Sequence, residues 1–124
     1  MKVKKVKIGI KNLKEVLEDF ARTAEAIERG EKVKRRRGYY FENLAAFRRA
    51  LTQKRLEMLH VIKKERPASV YELAKMLDRD TKNVTQDLEY LKQVGLVEIR
   101  RTKEKQERNI PEVKYDKINL EIAV

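Results

Sequence analysis

The fold of this chain is decided by residues 68–100, which read ASVYELAKMLDRDTKNVTQDLEYLKQVGLVEIR. Ser69 and Glu72 form a capping box, and the apolar spacing after it predicts a helix over 70–77. A polar turn separates this helix from a second one, which Gly95 ends. Beyond Gly95 the apolar residues change to the spacing of a β-strand. The stretch therefore predicts two helices joined by a tight turn, followed by a strand.

The second of these helices is amphipathic and runs from a cap at Asp80 or Thr81 to about Val94. At 100° per residue, the residues that face the core are Val84, Leu88 and Leu91. The exposed N-terminal half offers Thr81, Lys82, Asn83, Thr85 and Gln86. Asn and Gln can make bidentate contacts to adenine, Lys can reach guanine or phosphate, and Thr can meet a thymine methyl group. These five residues are the candidate readers of double-stranded DNA. The alternative is an ordinary solvated helix face with no role in binding.

The segment that precedes this stretch predicts two further helices. Thr52 is the expected cap of a helix to about Lys64, and Pro67 ends that unit. Its expected buried face consists of Leu56, Leu59 and Ile62. A shorter helix is predicted over 42–50.

The segment after Gly95 predicts strands separated by a charged loop. One strand is expected around 96–99 and the next around Val113 and Tyr115. The loop over 100–108 supplies candidate phosphate contacts, namely Arg100, Arg101, Lys103 and Lys105. The alternative is a solvated hairpin tip with internal salt bridges. The alternation over 118–124 predicts a last strand after a turn at 116–117.

The order of a helix, a short helix, a turn, a helix and a hairpin over 52–115 is that of a winged helix-turn-helix domain. The residues of the 68–100 stretch also resemble the DNA-reading half of MarR-like and ArsR-like winged-helix regulators. With YFENLAAFRRALTQKRLEMLHVI before it, the chain resembles a family of small predicted archaeal and bacterial transcriptional regulators whose genes often neighbour toxin genes. The resemblance covers 40–122, and it implies an α+β winged helix-turn-helix fold that binds DNA.

The first 38 residues predict a strand, a helix and a basic segment. Val6, Ile8 and Ile10 alternate with polar residues or glycine, which favours an edge strand. Asn12 then caps an amphipathic helix over about 12–29 that Gly30 ends. Its apolar stripe, the candidate dimerisation surface, consists of Leu13, Val16, Leu17, Phe20, Ala24 and Ile27. Because a helix of this length cannot hide such a stripe alone, we expect it to pack on the chain or on a second copy.

The charge of the chain is concentrated in its first part. The net charge is +11, and the first 65 residues hold 19 basic and 9 acidic residues. Such a surface attracts polyanions. The densest basic segment contains Lys34, Arg35, Arg36 and Arg37. Three roles stay open for this segment: an arm on the phosphate backbone or in the minor groove, a linker, or a docking peptide for an acidic partner.

Composition argues against an enzyme. The chain has no Cys and one His, which excludes thiolate sites and His pairs, so we expect no catalytic residues, no metal and no cofactor. No apolar run is long enough for a membrane span or a signal peptide, so we expect a cytoplasmic protein without a membrane partner.

We therefore expect two units, an N-terminal unit over 1–38 and a DNA-binding domain over 39–124. The leading hypothesis is a homodimeric, sequence-specific transcriptional repressor that reads two half-sites of double-stranded DNA. The second is an antitoxin-like module that binds a protein toxin and regulates its own operon. The third is an architectural protein that coats DNA with little sequence preference.

Overall fold

The computed structural model describes residues 3–33, 39–103 and 107–124. These residues form a mixed α+β fold, as the sequence predicts. The elements, in chain order, are β1 (Lys5–Ile10), α1 (Leu13–Glu28), β2 (Tyr39–Phe41), α2 (Leu44–Ala50), α3 (Gln53–Glu65), α4 (Val70–Leu77), α5 (Thr81–Gln93), β3 (Glu98–Thr102), β4 (Arg108–Glu112) and β5 (Lys117–Ile122). None of the helices within these ranges is long and apolar enough to cross a membrane.

The helix starts follow the predicted capping residues. The side chains of Asn12, Thr52 and Ser69 each accept the backbone N–H three residues later, at 2.9, 3.3 and 3.1 Å. Asp80 accepts the N–H of Lys82 at 3.2 Å and so caps α5. Each cap satisfies one of the N–H groups that the first helical turn leaves free. Local sequence alone therefore places these four starts correctly.

The prediction of an edge strand at the N-terminus is wrong, because β1 is the central strand of a three-stranded sheet. The strand order is β2-β1-β5, and both pairings are parallel. Ile8 lies opposite Tyr39 on one side and Leu120 on the other, and it is 1% exposed. An alternating pattern specifies which face of a strand is buried, but it does not specify how many neighbours bond to its backbone.

One core joins this sheet to the helices. Its buried members are Ile8, Met58, Leu59, Ile62, Leu73, Ala74, Val84, Leu88, Leu91, Leu96 and Val97. The expected role of Leu56 is wrong, since Leu56 is 41% exposed and Met58 is fully buried instead. The buried face of α3 is centred near Ile62, and Leu56 lies about 120° away from it around the helix.

The aromatic residues of β2 lock the sheet onto the helices. The ring of Phe41 meets that of Phe47 edge-on, with centroids 5.6 Å apart. The ring of Tyr39 lies directly against Gly95, where a Cβ atom would collide with it. Gly95 also has a φ of +80°, so both its backbone conformation and its neighbour require glycine. Sequence reasoning explained this glycine by helix termination alone.

Candidate nucleic-acid interface

The helix α5 divides into a buried and an exposed face along the predicted line. Val84, Leu88 and Leu91 are at most 3% exposed and pack in the core. The five candidate reader residues are all exposed, namely Thr81, Lys82, Asn83, Thr85 and Gln86. The N-terminal half of α5 therefore offers a continuous polar surface on a helix that the core holds firmly.

The five reader residues differ in how free their polar groups are. The hydroxyl of Thr85 donates to the carbonyl oxygen of Thr81 at 2.8 Å, so its proton is already engaged. The side chains of Lys82, Asn83 and Gln86 make no hydrogen bond or ion pair within the described residues. Asn83 and Gln86 lie three residues apart on α5, so their amides can enter one groove together. Of the five candidates, these two therefore combine exposure with an amide that makes no hydrogen bond within the described residues.

Three charged side chains, which sequence reasoning missed, form a cluster beside the buried face of α5. The carboxylate of Asp87 accepts from Arg55 Nε at 3.1 Å and from Arg79 Nη2 at 2.8 Å. The three side chains are only 17–21% exposed. Arg55 comes from α3 and Arg79 from the turn before α5, so the cluster ties α5 to both. Such charge-assisted, partly buried hydrogen bonds fix orientation as well as adding stability.

Arg55 also connects the cluster to α2. Its Nη1 donates to the carbonyl oxygens of Arg49 and Ala50, at 3.0 and 2.8 Å, at the C-terminal end of α2. Its guanidinium lies 4.2 Å from the centre of the Tyr90 ring, where a cation–π contact forms. A signal for this cluster existed in the sequence, because Arg55 falls within the apolar face of α3, about 20° from Ile62, and Asp87 falls at the edge of the apolar face of α5.

The hairpin of β3 and β4 pairs two of its basic side chains, Arg100 and Arg101, with its own carboxylates. Arg100 Nε lies 2.6 Å from a carboxylate oxygen of Glu112, and Arg101 Nη1 lies 3.6 Å from one of Glu107. Successive strand residues point to opposite faces, so the two arginines cannot approach the same phosphate row together. Lys103 is exposed and has no ion pair within the described residues. The alternative of a salt-bridged tip thus describes part of this hairpin.

Five of the predicted basic site residues lie outside the described residues. They are Lys34, Arg35, Arg36, Arg37 and Lys105. The predicted boundary between the two units, at residue 38, falls there as well. The central position of β1 nevertheless shows that the first 33 residues contribute a strand to the common core.

The predicted dimerisation residues lie on a helix with no buried residue. Leu13, Leu17, Phe20 and Ile27 are 69, 58, 73 and 61% exposed. Ala24 is exposed too, and Val16 is half-buried. The stripe that the sequence predicts is therefore present and lies open along α1.

A cavity of about 590 Å³ lies between the start of β1, the end of α3 and the base of the hairpin. Two of the cations that line it are paired, Lys63 with Asp116 at 3.2 Å and Arg100 with Glu112 at 2.6 Å. In the described ranges, no group of three or more His, Asp or Glu residues could hold a metal ion. The first of these pairs thus joins α3 to the turn before β5, and the second joins β3 to β4.

These features define a class of small mixed α+β protein in which a three-helix unit and a hairpin share a core with a parallel sheet. A family model named HVO_A0114 matches residues 50–120, which is more than half of the chain, and the chain belongs to this family. The matched region contains α3, α4, α5, β3 and β4, and it ends within β5. No curated protein and no solved structure matches the chain.

Proposed function

We propose that this protein is a sequence-specific, double-stranded DNA-binding transcriptional regulator. In this proposal α3, α4 and α5 with the β3–β4 hairpin form a winged helix-turn-helix domain, α5 is the recognition helix and the hairpin is the wing. The order of these elements and the short turn from Leu77 to Thr81 support this assignment. The protein would act by binding and not by catalysis.

The observation that supports the proposal best is the exposed half of α5. A recognition helix needs an apolar face held by the domain and short polar side chains free to meet base edges. Val84, Leu88 and Leu91 meet the first requirement, while Asn83 and Gln86 meet the second. The Arg55–Asp87–Arg79 cluster adds a fixed orientation, which base reading requires because hydrogen bonds are directional.

The wing would contribute affinity without sequence preference. Lys103 is available for a phosphate, and the exposed pairs of Arg100 and Arg101 are weak enough to be exchanged for phosphate contacts, since exposed ion pairs contribute about 0–1 kcal/mol. The +11 charge of the chain would assist this binding at low salt.

The regulator would act as a homodimeric repressor in the cytoplasm. One recognition helix covers few base pairs, so two half-sites about one helical turn apart are the economical target. The exposed stripe of α1 supports dimerisation, because contiguous exposed apolar residues on a protein surface often mark a site of contact with another protein.

The experiment that tests the proposal is selection of binding sites from a random DNA library, followed by affinity measurements on the selected site and on random DNA. We expect the wild-type protein to prefer its site on the order of 10³-fold or more. Replacing Asn83 and Gln86 by Ala should abolish most of this preference and leave the salt-dependent binding to random DNA in place, because these two residues contact bases and not phosphates.

Gln93→Ala is the matched control. Gln93 is exposed on the same side of α5 as Gln86, two turns nearer the C-terminus, where a recognition helix leaves the groove. It should keep the preference. If the wild-type protein selects no site yet binds DNA, it is an architectural protein. If the double variant keeps the preference, α5 is not the reader.

A further inference from the structure

The helix α1 exposes an apolar stripe that the described residues leave uncovered. The partly covered residues of α1 are Val16, Asp19 and Ala26, and they mark the side that faces the body. Lys11, next to β1, pairs with Asp19 on that same side. On a helical wheel the centre of the apolar stripe, near Leu13 and Phe20, lies about 90° from the side of α1 that faces the body. The apolar face of α1 is therefore turned sideways, away from the core.

We propose that the occupant of this stripe is α1 of a second copy of the chain, packed in an antiparallel orientation about a two-fold axis. An isologous contact brings the same stripe of both copies together. Placing Phe20 on the axis puts Leu13 opposite the partner's Ile27 and Val16 opposite the partner's Ala24. In both pairs an apolar side chain of one copy packs against an apolar side chain of the other, and the pairs lie on either side of the axis.

The charges beside the stripe decide the orientation. Lys14, Glu25 and Glu28 lie on the flank of the stripe that is remote from the body. In an antiparallel pair about a two-fold axis, this flank meets the same flank of the partner. Lys14 near the start of one helix then faces the partner's Glu25 and Glu28 near the end of the other, and the contact occurs twice. In a parallel pair about a two-fold axis, this flank would instead meet the opposite, body-side flank of the partner, and Lys14 would lie about 16 Å or more along the helix from the partner's Glu25 and Glu28.

These charged groups are available for a partner. Neither Lys14, Glu25 nor Glu28 takes part in an ion pair within the described residues, whereas Asp19 on the body side pairs with both Lys11 and Arg22. The helix Leu13–Glu28 contains two basic and five acidic residues, although the whole chain has a net charge of +11. Because this acidic helix would be repelled by polyanionic DNA, it is suited to a protein contact on a side remote from DNA.

This inference deepens the dimer of the proposed function, and its consequence for half-site reading rests on that function. The contact itself is tested without DNA, by light scattering after size-exclusion chromatography of the full chain. A dimer at micromolar concentration is expected for the wild type. Lys14→Glu and Glu28→Lys each replace two attractive contacts by two repulsive ones, so each should weaken dimerisation on the order of tenfold.

Mixing the two single variants is the decisive step. In a heterodimer of Lys14→Glu with Glu28→Lys, both contacts are again between opposite charges, so the equimolar mixture should regain the dimer mass. The doubly substituted chain, with both changes, should also dimerise. A parallel dimer keeps Lys14 about 16 Å or more from the partner's Glu25 and Glu28, so it does not predict weaker dimerisation in both single variants followed by recovery in their mixture.

Glu15→Lys and Arg22→Glu are matched controls, because both residues lie on the side of α1 opposite the stripe and change the charge by the same amount. They should leave the mass unchanged, and circular dichroism should show equal helix content in all variants. The proposal is overturned by a monomeric wild type at 100-fold higher concentration, by single variants that dimerise as the wild type does, or by a mixture that fails to regain the dimer. DNA binding by a chain that fails this test would leave the proposed function standing.

Discussion

The helices α5 and α1 are both amphipathic, yet among residues 3–33, 39–103 and 107–124 only α5 has its apolar face buried. In α5, Val84, Leu88 and Leu91 are at most 3% exposed, whereas α1 has no buried residue and its Phe20 is 73% exposed. The two sequences show the same kind of 3.6-residue periodicity. Periodicity therefore tells which face of a helix is apolar, and it does not tell whether the rest of the same chain covers that face.

The difference extends to how each helix is attached. The helix α5 is tied to α2, α3 and the preceding turn by Arg55, Asp87 and Arg79. The helix α1 is attached to the body through β1, with the Lys11–Asp19 pair beside it. The strand is anchored deeply, because Ile8 is in the core, while the helix that follows it is not. Three substitutions test this contrast, from the largest expected effect to the smallest.

The largest effect is expected from truncation of a core leucine of α5. Leu91→Ala should lower the free energy of unfolding by about 2–5 kcal/mol, because Leu91 is fully buried and its loss leaves a cavity. Leu17→Ala, the same change on α1, should alter the free energy of unfolding of the monomer by no more than about 0.5 kcal/mol. Chemical denaturation at several protein concentrations measures both.

The concentration series separates the two helices further. The unfolding midpoint of a dimer rises with protein concentration, and Leu17→Ala should reduce this dependence while Leu91→Ala should retain it. Equal losses for the two variants, at every concentration, would mean that α1 is covered by its own chain after all.

An intermediate effect is expected at the charge cluster. Asp87→Ala leaves Arg55 and Arg79 facing each other without a carboxylate, and should lower the free energy of unfolding by about 1–3 kcal/mol. Glu89→Ala, at an exposed position of the same helix, should cost less than about 0.5 kcal/mol. Site preference should also fall more in Asp87→Ala than in Glu89→Ala at a temperature where both are folded. Equal DNA preference would limit the cluster to stability.

The smallest effect concerns the anchoring of β1 beside β5. The backbone N–H of Lys4 donates to Asp116 at 2.9 Å, and Lys63 lies 3.2 Å from the same carboxylate. These contacts, first that of Lys4 and then that of Lys63, hold the pKa of Asp116 below its usual value of 3.8. The unfolded chain binds the proton more readily, so this contribution to stability is present above about pH 4 and is lost as the pH falls below it.

Asp116→Asn should therefore flatten the acid side of the stability profile and leave little difference from the wild type at the lowest pH. Glu57→Gln, which changes an exposed carboxylate outside any ion pair of the described residues, serves as the control and should keep the wild-type slope. A full acid slope in Asp116→Asn would show that Asp116 does not anchor β1. Thermal unfolding between pH 2.5 and 6 measures this.

The sequence by itself determined the local structure of this protein. The caps at Asn12, Thr52, Ser69 and Asp80, and the ends at Gly30 and Gly95, depend on contacts within a few residues, which a sequence displays directly. The buried face of α5 was predictable for the same reason, because helical periodicity is a local property. The candidate readers Asn83 and Gln86 follow from that face.

Only the tertiary structure decided which distant segments meet. It placed β1 between β2 and β5, put Met58 in the core in place of Leu56, set Tyr39 against Gly95, and gathered Arg55, Arg79 and Asp87 behind the candidate reader helix. These pairings join residues far apart in the chain, and several partners of similar chemistry were available for each. Burial of the whole core selects among them, because only one arrangement covers the sheet and the three helices together.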